Sequence, residues 1–243
     1  FKGAYYTPLA VVDKAYDKLT ETLGENWQRE YIVWDMCCGV GNLEVKHSNP
    51  RNIYMSTLDS ADVDVMKATK TCVAAQRFQY DYLNDDIAED GSIDYTLTNK
   101  IPLSLRKAIA DKKKILILIN PPYAEAGNTT TITSGGEHKT DVSSTKVASF
   151  MNEYGYAKRE LFTQFIARIS KEIPTASVAM FSKLKYVNAP NFENFRQLWN
   201  SKYLGGFVVH SKSFEGLRGN FPIGFLIWKT YNSTKNNKSF VEI

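Results

Sequence analysis

Tyr31-Ile32-Val33-Trp34-Asp35-Met36-Cys37-Cys38-Gly39-Val40-Gly41-Asn42 is the stretch on which the fold turns. A short apolar run rich in β-formers ends on an acid and enters a Gly-x-Gly turn, the pattern of a strand whose carboxyl end opens a ligand site, with a helix expected to follow. The rhythm recurs on both sides. Residues 53–58 are predicted as a second strand ending in Asp59, with Ser60 capping a helix through Thr71, and residues 77–80 as a weaker strand ending in Asp81. Residues 102–110 read as a helix, Ile115 to Ile119 as a fully buried strand, and Asn120-Pro121-Pro122-Tyr123 as the turn beyond it. Upstream, Thr7-Pro8 offers a capping hydroxyl and a first-turn proline to a helix with apolar positions Val11, Val12, Ala15, Leu19 and Leu23, ended by Gly24. Downstream come a helix over 159–171, a strand over 177–181, a helix over 192–200, and strands near 206–209 and 223–228. Alternating strands and helices predict an α/β fold: a mainly parallel sheet with helices on both faces, its last two strands pairing antiparallel at an edge. The Thr-, Ser-, Gly- and Asn-rich residues 124–157 are expected to form a mobile surface insertion beside the proline turn.

The chain has 243 residues, 43% of them hydrophobic, enough for one large α/β domain or two small ones. Its 14 glycines and 8 prolines exclude collagen-like composition, and a net charge of +4 permits a polyanionic partner without demonstrating one. The longest apolar run, Ile115 to Ile119, is too short to span a bilayer and no basic-then-apolar leader opens the sequence, a cytoplasmic profile. Cys37, Cys38 and Cys72 have no metal-ligand spacing and read as reduced, buried thiols. Phe1 stands where a methionine would begin a chain, and the sequence is expected to be a domain of a longer protein.

Carboxylates at successive strand ends suit a nucleoside: Asp59 can accept from ribose hydroxyls and Asp81 from an adenine amino group, although any single Asp in such a place is more often a helix cap or a loop acid. Gly39-Val40-Gly41 lacks the third glycine of the dinucleotide fingerprint and alone divides evenly between a cofactor loop and a plain turn. Asn120-Pro121-Pro122-Tyr123 differs in kind. Two prolines stiffen the turn and remove two N–H donors, leaving the Asn oxygen and neighbouring carbonyls as fixed acceptors beside an aromatic ring.

At these residues the sequence resembles the S-adenosylmethionine-dependent DNA adenine-N6 methyltransferases of restriction–modification type, whose catalytic motif reads Asn-Pro-Pro-Tyr. Tyr5-Tyr6-Thr7-Pro8 resembles the segment that folds over the methionine end of the cofactor, and Asp35 to Gly41, including Cys37, the cofactor loop. Asp59 matches the ribose acid, Asp81-Tyr82-Leu83 the adenine-contacting segment, and Asn220-Phe221-Pro222-Ile223 the late motif whose ring packs on the target base. The resemblance implies a Rossmann-like class I methyltransferase fold, S-adenosyl-L-methionine as cofactor and DNA as partner. It further implies catalysis at Asn120, Pro121, Pro122 and Tyr123, Asn120 also touching the cofactor, a flipped base between Tyr123 and Phe221, and no metal. Cys37-Cys38 and Ser60 depart from the usual residues, and the family's target-recognition domain is expected outside this chain. No cysteine follows a proline, which disfavours cytosine-5 chemistry. The release-factor glutamine methyltransferases share Asn-Pro-Pro-Tyr and are the alternative, followed by a structured-RNA adenine methyltransferase and a non-catalytic cofactor-binding module. Lys183, Lys185, Lys212 and Arg218 are candidate phosphate contacts, whereas Lys112 to Lys114 read as solvated charge at the far end of their strand.

Overall fold

The computed structural model describes residues 7–123, 142, 144–215 and 217–231. Ile115–Ile119 (β4) has five consecutive residues with no room for a polar face, and all five are buried at the centre of a seven-stranded sheet. Ile32–Asp35 (β1), Ile53–Thr57 (β2) and Gln76–Gln79 (β3) extend it on one side, and Ser177–Ser182 (β5), Ser201–His210 (β6) and Pro222–Thr230 (β7) on the other. The order is β3-β2-β1-β4-β5-β7-β6. Strands β1 to β5 pair in parallel, and β7 runs antiparallel between β5 and β6. The last two strands do pair antiparallel, with β6 at the edge and the reversed strand one place inside it. The chain leaves β1 outward to β3 and returns to β4 on β1's other side, so the carboxyl ends of β1 and β4 form the switch point where such sheets bind ligands.

Alternation along the strands divides the core between two faces. Val33, Met55, Leu116, Leu118, Phe181 and Ile227 pack on one face with Leu9–Leu23 (α1), Trp27–Glu30 (α2) and Ser60–Ala68 (α3). Trp34, Tyr54, Ile117, Met180 and Trp228 face the opposite layer, which includes Leu103–Ala110 (α4), Leu161–Glu172 (α6), Lys185–Asn188 (α7) and Glu193–Leu198 (α8). A one-turn helix, Lys146–Ser149 (α5), precedes α6.

Four sequence expectations change, the first being that Asp59 rather than Ser60 caps α3, which ends at Ala68 rather than Thr71. Pro8 is the N-cap of α1, whose first N–H groups receive no side-chain cap, so the Thr7 hydroxyl is committed elsewhere. No helix follows the glycine loop: residues 42–46 form turns held by Glu44 N–H to Gly41 O (3.2 Å) and His47 N–H to Glu44 O (3.0 Å), before Pro50 opens a 3₁₀ turn into β2. Finally, the insertion's described end is packed. Val147, Ala148, Met151 and Ala157 are buried, and the Val147 N–H donates to Leu83 O at 3.1 Å. Apolar residues spaced among polar ones are enough to dock 144–157, while 124–141 lie outside the described residues.

Candidate active site

The sequence-selected residues line the carboxyl edge of the sheet in spatial order: Asp81 after β3, Asp59 after β2, Asp35 ending β1, Asn120 after β4, and Phe221 just before β7, whose reversal brings its start to this edge. Tyr5 lies outside the described residues. The two glycines divide the loop's work. Gly41 (φ +87°) is packed, since a Cβ there would lie 2.7 Å from Met55 Cε. Gly39 (φ +54°) faces open space, with nothing within 4 Å of the same position, and so leaves room for a close-approaching ligand.

Asp35 is buried and accepts from the Cys37 N–H at 3.1 Å. Burial, then the charge of Asp35, pushes the Cys37 thiol well above its ordinary value, which leaves it un-ionised. Asp59 caps α3, accepting from the Ala61 N–H at 2.9 Å through Oδ1. The common role of such an acid is therefore filled by one oxygen, with Oδ2 at an exposed residue beside it. Asp81 is engaged on both oxygens, by the Leu83 N–H (3.2 Å) and Asn84 Nδ2 (2.9 Å).

Tyr82 needs correction as a side-chain cofactor contact. Its ring is 2% exposed and stacks on Phe165 at 5.7 Å, while its hydroxyl donates to Glu172 Oε1 at 2.7 Å, so its side chain is committed to the core. Arg168 holds its backbone: Nη1 donates to Tyr82 O and Asp85 O, both at 2.6 Å, and Nη2 to the Tyr80 hydroxyl and Glu172. Lys185 pairs with buried Glu160 at 3.1 Å, so a phosphate there would share its ammonium with that carboxylate. Lys183 lies 5.5 Å from the Phe221 ring centroid, at the site. Lys114 is 4.0 Å from Glu30 at the start of β4, the far end.

In the proline turn the Asn120 amide is bound at both ends. Its Nδ2 donates to Thr7 Oγ1 at 2.9 Å, and its Oδ1 accepts from the Tyr123 hydroxyl at 2.8 Å. Pro121 is buried and Pro122 partly so. Tyr123 and Phe221 do come together, but edge to face, with centroids 6.5 Å apart and planes at 68°, rather than as parallel walls. Ser211 pins Phe221, its N–H donating to Phe221 O (2.9 Å) and its Oγ accepting from Phe221 N–H (3.2 Å). Ser211 carries no sequence signal, because its partner lies ten residues on across the β6–β7 connection. Among the described residues no cluster of His, Cys, Asp or Glu is placed to hold a metal ion, and no helix is long and apolar enough to cross a membrane.

Solved structures share this architecture. A Listeria monocytogenes protein, a candidate class I S-adenosylmethionine-dependent methyltransferase, aligns over 97% of this chain and 64% of its own, with 11% identity and a TM-score of 0.57. The fold is that of the class I methyltransferases. The DrdV–DNA complex aligns over 92% of this chain and 26% of its own at 11% identity, and the DNA-bound ATP-dependent Type ISP restriction–modification enzyme LlaBIII over 96% and 19% at 13%, both with a TM-score of 0.57. The chain thus spans less than two thirds of each. No family model and no curated protein matches the sequence.

Behind the glycine loop sits Glu44, a residue the sequence reading passed over. It is fully buried, and among the described residues neither carboxyl oxygen has a partner of hydrogen-bond geometry, though Asp35 is near enough to act on it electrostatically. Burial first, then the Asp35 charge, raises Glu44 well above the usual carboxylate range, and burial raises Asp35 as well. A carboxyl whose folded pKa is raised costs stability progressively as pH climbs above its unfolded value. Glu44→Gln, isosteric and neutral, is therefore expected to stabilise the protein by about 1–3 kcal/mol at neutral pH and to match the parent below the ordinary carboxylate range. Thermal unfolding of both proteins as a function of pH checks this; parallel curves would show that Glu44 is not the titrating group.

Proposed function

We propose that this protein transfers a methyl group from S-adenosyl-L-methionine to the N6 amino group of an adenine flipped out of DNA, as the modification activity of a restriction–modification system. The observation that carries the reading is the Asn120 amide, held at the switch point with its oxygen already accepting a hydrogen from a hydroxyl donor. An exocyclic amino nitrogen is a poor nucleophile because its lone pair is delocalised into the purine. Asn120 Oδ1 and the Pro121 carbonyl would accept hydrogen bonds from its two hydrogens and favour a pyramidal nitrogen; as the N–CH₃ bond forms and the S–CH₃ bond breaks, one N–H proton would pass to water, so the chain's task is positioning and electrostatic complementarity.

The residues present fit the cofactor. Gly39 leaves space for close approach, and Asp35, Asp59 and Asp81 stand in series along the edge as the acceptors a nucleoside and an ammonium group require. When bound, the sulfonium supplies an electrophilic methyl group with a good leaving group. Tyr123 and Phe221 offer stacking surface for the flipped base once their rings part, and Lys183 beside Phe221 is placed for a backbone phosphate. The DNA-bound structures sharing the fold support this choice of polymer.

The test is product identification: incubation with labelled S-adenosylmethionine and, separately, duplex DNA, structured RNA and release factor, then analysis of the methylated species. N6-methyladenine in DNA is expected. Label confined to a glutamine amide or to RNA would replace the substrate while keeping the acceptor geometry.

A further inference from the structure

We infer that Thr7 is a positioning residue that sets which end of the Asn120 amide faces the substrate, an assignment resting on the amino-methyltransferase reading and different from a contact to the cofactor. An asparagine amide presents an acceptor on one side and two donors on the other, and rotation about its last side-chain bond exchanges them. Turned the wrong way, Asn120 would meet the amino hydrogens of a substrate with hydrogens of its own. Thr7 blocks that state by accepting from Nδ2 at 2.9 Å.

The partners themselves discriminate. A phenol is the stronger donor and an alkyl hydroxyl the stronger acceptor, so Tyr123 pairs with the oxygen and Thr7 with the nitrogen. Both contacts need not act alike in catalysis. The amide oxygen has two lone pairs, so a substrate amino group can reach Oδ1 beside the Tyr123 hydroxyl or in its place, whereas Thr7 holds the nitrogen end of the amide in either case.

Thr7 is held for this task. It is buried, its hydroxyl does not cap α1, and its carbonyl accepts from Asn42 Nδ2 in the turn after the glycine loop. One residue thereby joins the loop after β1 to the catalytic turn after β4, across the switch point.

The experiment compares Thr7→Val, which keeps the shape and removes the hydroxyl, with Thr7→Ser, which keeps the hydroxyl. Thr7→Val is expected to slow single-turnover methylation about tenfold or more with S-adenosylmethionine affinity, by calorimetry, within about threefold of wild type, and Thr7→Ser to restore most of the rate. Combined with Asn120→Ala, Thr7→Val should add no further loss, because residues acting as one unit are not additive. A readout independent of any substrate keeps the inference separate from the proposed activity. The Asn120 side-chain NH₂ resonances, assigned by their loss in Asn120→Ala, should exchange slowly with solvent in the wild type and Thr7→Ser and rapidly in Thr7→Val. Slow exchange in Thr7→Val, affinity falling in step with rate, or full additivity with Asn120→Ala would each overturn the assignment. A wild-type protein that methylates no nucleic acid would sink the proposed function and leave the exchange result to decide this one.

Discussion

Asn120→Ala is expected to lower the single-turnover rate of methyl transfer by about a hundredfold or more, the loss typical of removing one preorganised group aimed at developing charge. S-adenosylmethionine affinity should stay within about threefold, because the amide acts on the nucleophile, an interaction realised in the transition state. The fold should tolerate the change. Asn120 and Tyr123 are only partly buried, and Tyr123 can turn to water, although Thr7 loses its donor. The comparison that isolates chemistry is rate against affinity in the same preparation, with thermal unfolding as a control. Wild-type turnover in Asn120→Ala would remove the amide from the reaction and leave the proline turn as a structural corner. Affinity lost in proportion to rate would make Asn120 a cofactor ligand instead.

The site was legible where the chemistry is local. Five apolar residues followed by Asn-Pro-Pro-Tyr admit little besides a doubly buried strand and a stiff turn, and both lie at the switch point. The misreadings have physical causes. A helix was expected after Gly41 because glycine loops in such folds usually open one, yet successive i→i+3 bonds and the approach of Pro50 hold the chain in turns. The polar composition of 144–157 concealed four apolar residues that suffice to bury its described end. Tyr82 followed an acid in a loop and looked like a contact residue, whereas its ring fills the core over Phe165. Nor could spacing reveal that Gln164, Arg168 and Glu172, four apart on α6, are all buried. A polar stripe on a helix normally marks its solvent face, and besides Glu172 four residues on, the hydrogen-bond partners of Arg168 lie 83 to 88 residues away in sequence.

Those partners make Arg168 the residue whose loss should cost the fold most. Arg168→Met is expected to destabilise the protein by about 3–5 kcal/mol, since deleting one member of a buried ion pair leaves the other charged and uncompensated. At this chain length that corresponds to a fall of roughly 6–20 °C in melting temperature. Glu172 would keep the hydroxyls of Tyr82 (2.7 Å) and Tyr95 (2.9 Å), both held protonated by burial and then by its own charge, but would lose its only cation among the described ion pairs. Adding Glu172→Gln removes the orphaned charge while retaining an acceptor for a tyrosine. The double variant should therefore be more stable than Arg168→Met alone, an ordering opposite to that of two independent losses. Function should suffer in parallel, because the same guanidinium holds Tyr82 O and Asp85 O within the turn that Asp81 opens. Weakened S-adenosylmethionine binding should accordingly persist in the double variant after stability has partly returned. If the double variant melts below Arg168→Met, the cost lies in lost hydrogen bonds and packing rather than in the stranded carboxylate. If stability and affinity recover together, the Asp81 turn does not depend on the guanidinium for its shape.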